Sequence, residues 1–394
     1  MEERTRAYLR GRFRDHYRRT EVSPPPDAHE REWAYVPWTE GPGTTMVRHR
    51  SLLDLGEPGD FLARESPQHA YISVGRYDDP GANSMAEKGW RSSDLVFDLD
   101  ADHLPSVTLG EDTYAEMLAT CKQALLKLLS FLEDDFGFSD LQVVFSGGRG
   151  YHVHVRDDGI QHLEREQRRE IVDYVRGIGV EFDAILEREP VAGLGRSTPT
   201  HRRSIDRRGG WGLRAHRRIV AFVEELTALE DEDALSRLES FEGVGEKRAS
   251  AALRAARTNR EQIEEGNVDV HPAFVGVARQ LFEETVEREQ APIDEPVTTD
   301  TNRLIRIPGT LHGGSGLSVC PLEREEIAAF DPLVDAVPET FRGHEITVEV
   351  TDGGPVELGG DTFTVAEGDT SVPEYVGVFL MARGRAEKGK ERST

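Results

Sequence analysis

The sequence predicts an α+β fold, a mixed sheet with an inserted helical subdomain. Two observations lead to this class. Short apolar runs with strand-like alternation recur along the chain, at residues 70–74, 94–100, 141–145 and 151–155. A later stretch, residues 231–290, is rich in Ala, Glu, Arg and Leu, which favour helices. Because β-type patterning returns at Ile293, we expect the helices to interrupt the sheet.

The order of the elements predicts the domain organisation. Residues 1–20 are expected to form a helix that ends before Pro24-Pro25-Pro26, since proline breaks a helix. Apolar residues at helical spacing predict further helices at 114–132, 161–178 and 218–229. The chain then divides into an N-terminal helix and proline-rich joint (1–30), a first core part (31–205), the helical insertion (206–290), a second core part (291–384) and a disordered tail (385–394).

The chain is strongly acidic. Its 73 acidic residues outweigh 48 basic ones, of which six are lysine, and the formal net charge is −25. Acidity spread along the chain with few lysines keeps a protein hydrated in concentrated salt and resembles proteins of salt-loving archaea. We therefore expect maximal activity near molar salt. The same charge argues against a general nucleic-acid binder, so a polyanion must meet a local positive patch.

Composition also excludes several classes of protein. No segment is apolar over the 18 or so residues that a membrane span needs, and the N-terminus is charged rather than signal-like. Cys121 and Cys320 are too few for a disulfide framework or a cysteine-rich zinc site. A cytoplasmic enzyme with no membrane partner is expected.

One local patch reverses the sign of the charge. Residues 201–218 contain seven arginines and two histidines against a single acid, Asp206. Arginines bind phosphates bidentately, and Trp211 could stack on a base. The candidate nucleic-acid contacts are Arg202, Arg203, Arg207 and Arg208. The alternative is a solvated loop whose arginines pair with the surplus carboxylates.

Two aspartates alternate within an apolar run. Asp98 and Asp100 lie two residues apart in Asp94-Leu95-Val96-Phe97-Asp98-Leu99-Asp100, so both leave the same face of the predicted strand. Two like charges in a largely buried strand require neutralisation, and hard divalent cations bind carboxylate oxygens well. The pair therefore predicts a two-metal phosphoryl-transfer site. Turn chemistry at a strand end is the alternative.

A glycine-rich turn joins the next two strands. In Ser146-Gly147-Gly148-Arg149-Gly150-Tyr151-His152, glycines permit positive φ, and successive N–H groups form an anion-binding concavity. Ser146, Arg149 and His152 add side-chain donors. The turn predicts a triphosphate cradle that is not a P-loop. Metal ligation by His152 with His154 is a weaker alternative, because no further cysteine or histidine stands at ligand spacing.

A third polar cluster follows the helical insertion. Arg303, Arg306 and His312 suit the phosphates of a nucleotide, and a third carboxylate nearby would complete the metal site. Asp294 and Asp300 both qualify by chemistry, and spacing alone does not choose between them. A plain strand and turn with solvated arginines is the alternative.

Taken together, these stretches resemble the catalytic small subunit of archaeal and eukaryotic DNA primases, in its archaeal form. Three motifs occur in the family's order: Asp98-Leu99-Asp100; Ser146-Gly147 with Arg149-Gly150 and His152; and Asp294, Val297-Thr298, Arg303-Leu304, Arg306, Pro308 and His312. The resemblance extends from about Trp33 to Gly384.

The resemblance implies the activity and the site. It implies synthesis of short RNA primers, and also use of deoxynucleotides, on single-stranded DNA from nucleoside triphosphates. The family's third aspartate lies 18 residues before the loop histidine, which implies Asp294 rather than Asp300. Asp98, Asp100 and Asp294 would then hold two Mg²⁺ or Mn²⁺ ions. Arg48 stands where the family has a phosphate-binding arginine.

The resemblance also implies a partner and leaves one rival. The family works as a heterodimer with a large regulatory subunit. Many members carry a zinc knuckle soon after the aspartate pair, but residues 103–110 contain no cysteine here, so we expect no structural zinc. The alternative is a related polymerase of end-joining repair that extends existing ends. A non-catalytic binding subunit fits less well, because the metal-binding motif is intact.

Overall fold

The computed structural model describes residues 1–39, 45–191 and 200–390, and of residues 188–191 and 200–202 the backbone alone. The helices are α1 (Glu3–Tyr17), α2 (Leu52–Leu55), α3 (Pro58–Glu65), α4 (Met85–Lys88), α5 (Tyr114–Ser130), α6 (Arg165–Val175), α7 (Gly210–Ala228), α8 (Asp231–Glu239), α9 (Glu246–Thr258), α10 (Arg260–Glu264), α11 (Pro272–Glu289), α12 (Glu295–Thr299), α13 (Pro332–Asp335) and α14 (Glu374–Ala382). Within the described ranges, no helix is long and apolar enough to cross a membrane.

The strands are short and numerous. They are β1 (Trp33–Val36), β2 (Val47–Arg50), β3 (His69–Ser73), β4 (Gly75–Tyr77), β5 (Trp90–Ser93), β6 (Leu95–Asp100), β7 (Leu141–Phe145), β8 (Gly150–Val155), β9 (Leu186–Val191), β10 (Thr200–Ile205), β11 (Leu304–Arg306), β12 (Cys320–Leu322), β13 (Glu345–Val350), β14 (Gly354–Leu358), β15 (Asp361–Val365), β16 (Gly368–Pro373) and β17 (Ala386–Lys388). The α+β prediction is confirmed. The strand pairs of the described residues are all antiparallel, whereas a sheet of mixed direction was expected.

The chain divides into two compact units. The first comprises Met1–Leu125, Phe138–Val172 and Pro292–Thr394. Two four-stranded sheets form its centre, in the orders β11-β3-β1-β2 and β12-β7-β8-β6. Strand β6 is an edge strand whose Leu95, Phe97 and Leu99 are fully buried. The predicted apolar run is therefore a strand, and its alternating aspartates are left on the less buried face.

The second unit comprises Leu126–Gly137 and Asp173–Ala291. Helices α7, α9 and α11 pack together within it, and Ile219, Phe222 and Leu281 are among their fully buried residues. The predicted insertion, residues 206–290, covers these helices but not the β9–β10 hairpin that belongs to the same unit. Sequence periodicity missed this hairpin because its strands carry charged residues rather than an apolar alternation.

The C-terminal segment differs from the predicted disordered tail. Strand β17 pairs with β13, with Val348 opposite Lys388, and the N–H of Lys388 donates to the Thr5 hydroxyl at 2.7 Å. This strand is held by backbone hydrogen bonds to β13. Its charged sequence has no apolar alternation from which a strand could be predicted. Residues 391–394 lie outside the described residues.

Buried arginines anchor the start of β6. Asp94 directly precedes the strand and accepts hydrogen bonds from Arg31, at 2.9 and 3.1 Å, and from Arg156, at 3.1 Å. Arg168 donates to the carbonyl oxygens of Ser93 and Asp94, each at 3.0 Å. Because buried charges persist only when they are paired, this cluster holds the entry to β6 in one position.

Candidate active site

Strand β6 presents two carboxylates to one cavity. In the β6–β8 register Asp98 lies opposite His152 and Asp100 opposite Gly150. The His152 Nε2 atom stands 3.3 Å from the Asp98 carboxylate. Burial raises the pKa of Asp98, but the charges of His152, Arg303 and Arg306 outweigh it, so the pKa lies below its usual value. The protein thus keeps Asp98 ionised by placing His152 and two arginines around it.

The glycine-rich turn between β7 and β8 forms the second wall. The Ser146 N–H donates to the Gly150 carbonyl at 2.9 Å, and the Ser146 hydroxyl accepts from the Gly148 N–H at 3.3 Å. Gly147 has a φ of +73°, which the prediction of positive φ anticipated. Gly150 is required for a different reason, because a Cβ there would stand 1.8 Å from the Leu99 carbonyl oxygen.

The Arg149 side chain extends from this turn towards Asp102. Its guanidinium lies 2.5 Å from the Asp102 carboxylate, a charge-assisted contact. The Tyr114 hydroxyl donates to the Gly148 carbonyl at 2.5 Å and ties the turn to α5. The turn is therefore held from two sides.

Strand β11 and the loop after it form the third wall. Arg306 lies over the Tyr71 ring at 5.4 Å, and its buried Nε atom has no hydrogen-bond partner among the described residues. Burial, together with the charges of Arg306 and His69, holds the pKa of His312 well below its usual value, so His312 is neutral at pH 7. Its Nδ1 atom accepts from the Gly314 N–H at 3.2 Å. That contact orients the ring in the loop.

These walls enclose a cavity of about 590 Å³ within the first unit. The predicted residues that line it are Asp98, Asp100, Ser146, Arg149, His152, Arg303, Arg306 and His312. The sequence analysis missed further residues on its wall, among them Tyr71, Tyr114 and Arg383. These three come from β3, α5 and the end of α14, where no local motif marks them, and only packing brings them together.

Two predicted residues do not line the cavity. Asp294 contacts β6 through its backbone, since its N–H donates to the Asp98 carbonyl at 3.1 Å. Arg48 instead bonds to the buried Glu32 carboxylate, at 3.1 and 3.3 Å. Asp300 acts as a turn residue, because its carboxylate accepts the Asn302 N–H at 2.9 Å.

The basic patch of the second unit is largely self-neutralised. Arg203 pairs with Asp269 at 3.1 Å, and Arg208 pairs with Asp206 at 2.9 Å. Arg207 donates to a backbone carbonyl, while the Arg202 side chain lies outside the described residues. This pairing matches the alternative of arginines bound to surplus carboxylates.

Trp211 does not offer a surface for stacking on a base. It is only 3% exposed, and its indole N–H donates to the Tyr174 carbonyl at 2.9 Å. The expectation of a base contact is therefore wrong, because the ring belongs to the core of the second unit.

The cavity offers part of the ligand set that hard divalent cations require. Asp98 and Asp100 offer carboxylate oxygens from one strand face, the chemistry that Mg²⁺ and Mn²⁺ prefer. Across the described ranges, however, no three side chains of His, Cys, Asp or Glu converge closely enough to hold a metal ion. Two carboxylates, rather than the expected three, face the cavity.

An α+β fold that directs paired carboxylates, arginines and histidines into one cavity is typical of enzymes that transfer phosphoryl groups. A family model described as DNA primase small subunit matches residues 97–323. The chain is 69% identical to the DNA primase small subunit PriS of Haloarcula marismortui, over 99% of this chain and 100% of that protein. It is 61% identical to that of Halobacterium salinarum and 39% identical to that of Methanococcoides burtonii, in each case over 99% of this chain and 100% of the relative.

The chain therefore belongs to the DNA primase small subunit family, as the resemblance implied. It is a nucleotidyl-transferring enzyme of DNA replication. The close haloarchaeal relatives agree with the composition expected of a halophilic archaeon.

Proposed function

We propose that this enzyme synthesises short RNA primers on single-stranded DNA, and also accepts deoxynucleotides, by metal-assisted nucleotidyl transfer. The observation that carries the proposal is the joint exposure of Asp98 and Asp100 to a cavity rich in arginine. Carboxylates for cations and guanidinium groups for phosphates are the two donor sets that a nucleoside triphosphate requires.

Asp98 and Asp100 are the proposed principal ligands of two Mg²⁺ or Mn²⁺ ions. Asp294 is the proposed third ligand, a role supported by its backbone contact with Asp98. When bound, such ions lower the pKa of the attacking 3′-hydroxyl and neutralise charge on the leaving pyrophosphate. The cationic surroundings keep Asp98 ionised and ready to bind them.

The remaining residues of the cavity bind and orient the triphosphate. Ser146 and the N–H groups of its turn offer donors to phosphate oxygens. The Nε–H of Arg306 has no hydrogen-bond partner in the described part of the chain, and Arg306 lies in the wall near Asp98, so it is placed to bind the phosphate that reacts. Neutral His312 offers a hydrogen bond without adding charge. Arg149 would exchange its bond to Asp102 for one to phosphate.

Three proposed contributors lie apart from this cavity. Arg48 would bind phosphate only after leaving Glu32, so we rank it below the cavity arginines. Arg203 and Arg208 would contact nucleic acid only after leaving their carboxylate partners. The proposed heterodimer partner is a large regulatory subunit, as in the family, and it would support initiation on single-stranded DNA. The proposed location is the cytoplasm.

A primer-synthesis assay tests the proposal. Labelled nucleotides are incubated with single-stranded DNA and Mn²⁺ or Mg²⁺ near molar salt, with and without the large subunit. Asp98→Asn, Asp100→Asn and Asp294→Asn should each lose roughly three orders of magnitude in rate. Asp300→Asn is the matched control, because its carboxylate caps a turn, and it should keep the activity.

Two results would contradict the proposal. Extension of supplied ends without initiation, even with the large subunit, would favour the repair polymerase. Full activity of Asp294→Asn with loss in Asp98→Asn would remove Asp294 from the metal site.

A further inference from the structure

Arg383 is a cation of the catalytic cavity that lacks an acidic partner. It directly follows α14 and lines the cavity together with Ala382. Its backbone N–H donates to the Phe379 carbonyl at 3.1 Å, but among the described residues its guanidinium forms neither a salt bridge nor a hydrogen bond. Two arginines near it are paired with carboxylates, Arg149 with Asp102 and Arg385 with Asp352. An unpaired guanidinium beside a cavity is therefore open to a ligand.

Two aromatic rings hold this guanidinium in place. It lies 4.4 Å from the centre of the Tyr114 ring and 5.3 Å from that of Phe379. The two rings are 5.7 Å apart, and the Tyr114 hydroxyl is bonded to the Gly148 carbonyl. Stacking on rings leaves the N–H edge of an arginine free to donate. The same contacts tie Arg383 to the turn that carries Ser146 and Arg149.

The charges around Arg383 favour an anion. Arg149 lies close enough to Arg383 for electrostatic repulsion, and neutral His312 near them adds no charge. The Asp102 carboxylate attracts Arg383 electrostatically, but Asp102 is already bound by Arg149. Two neighbouring guanidinium groups that share one carboxylate repel each other, and a bound phosphate would relieve that repulsion.

We propose that Arg383 binds the terminal phosphate of the incoming nucleoside triphosphate. The inference rests on the proposed function, in which the reacting phosphate lies at Asp98 and Asp100. His152 lies beside Asp98, whereas the Arg383 guanidinium stacks on Tyr114, whose hydroxyl bonds to the Gly148 carbonyl of the glycine-rich turn. The phosphate farthest from the carboxylates therefore meets Arg383.

Equilibrium binding of nucleotides to the full chain tests this assignment. Dissociation constants for ATP, ADP and AMP are measured with Mg²⁺ in high salt, for the wild type and for Arg383→Gln. The variant should bind ATP about 10- to 100-fold more weakly, the range expected for the loss of one charged hydrogen bond. ADP and AMP lack the terminal phosphate, so their affinities should stay unchanged.

The matched control is Arg385→Gln. Arg385 lies two residues away, bonds to Asp352 and the Gly353 carbonyl, and does not line the cavity. It should bind all three nucleotides as the wild type does. If Arg383→Gln does not fold, as judged by its circular dichroism spectrum, Arg383→Met keeps a long stem over the two rings and should show the same selective loss.

The outcomes separate this inference from the proposed function. An unchanged dissociation constant for ATP in Arg383→Gln, or equal losses for ATP, ADP and AMP, would overturn the assignment and leave the proposed function standing. Equal binding of ATP and AMP by the folded wild type would instead contradict the triphosphate site itself.

Discussion

Gly150→Ala is the substitution whose expected loss of catalytic rate follows most directly from the structure. A Cβ at Gly150 would stand 1.8 Å from the Leu99 carbonyl oxygen and 3.0 Å from the Asp100 Cα atom. Because real Cβ atoms do not approach within 3.0 Å, β6 and β8 must separate by at least about 1.2 Å. Leu99 lies between the two carboxylates, so this displacement moves the strand that carries the proposed metal ligands.

The expected result is a large loss of turnover. A displacement of about 1 Å in a catalytic geometry costs roughly 100-fold in rate, which is about 2.7 kcal/mol. The overpacked strands should also lose about 1–3 kcal/mol of folding stability. The assay is dinucleotide synthesis on single-stranded DNA, with the folded fraction measured by circular dichroism so that the rate is expressed per folded molecule.

Gly159→Ala is the matched control. Gly159 is exposed in a 3₁₀ turn, and a Cβ there would meet no atom within 4 Å. It adds the same methyl group and should keep both rate and stability. If Gly150→Ala retained more than about a third of the wild-type rate and the wild-type melting temperature, the close approach of β6 and β8 could not be what positions the carboxylates.

Three further outcomes are expected. Asp94→Asn leaves the buried Arg31 and the partly buried Arg156 short of a counter-charge and should lower the free energy of unfolding by about 3–5 kcal/mol in denaturant titration; a loss under 1 kcal/mol would contradict this. Burial, opposed by a hydrogen bond to Gly309, lowers the pKa of His16 to about 4, so the unfolded chain binds more protons below pH 6.5. Stability should therefore fall by up to about 3 kcal/mol between pH 6.5 and 4, and His16→Gln should lack this component in unfolding curves measured across that range. Primer synthesis should peak near molar salt, and a maximum in dilute buffer would refute the halophilic interpretation of the charge.

Much of the candidate site was predictable because strand geometry is local. The two-residue spacing of Asp98 and Asp100 within an apolar run predicted both a buried strand and a shared face, and both carboxylates line the cavity. The glycine-rich turn was predicted for similar reasons, since positive φ at Gly147 is a property of the backbone alone. The family resemblance then linked these stretches to Arg306 and His312.

Other features depended on contacts between residues distant in sequence. Arg48 is bound by Glu32, although the family resemblance implied a phosphate contact. Trp211 is buried in the second unit, although its residue type suited stacking on a base. The tail strand β17 forms because β13 has a free edge, and its own residues carry no strand signal. Each of these contacts depends on which residue from a distant part of the chain lies nearby in space, and a single sequence does not reveal such pairs.

The sequence by itself determined the α+β class, the acidic surface, the family and the two carboxylates of β6. These follow from composition, from periodicity and from motifs whose geometry spans only a few residues. The tertiary structure decided which cations remain free to bind a ligand. Arg383 is available because it stacks on Tyr114 and Phe379, while Arg203 and Arg208 are already paired with carboxylates. The physical reason is that the free energy of a charged group depends on its neighbours in space, and the tertiary fold determines which residues those neighbours are.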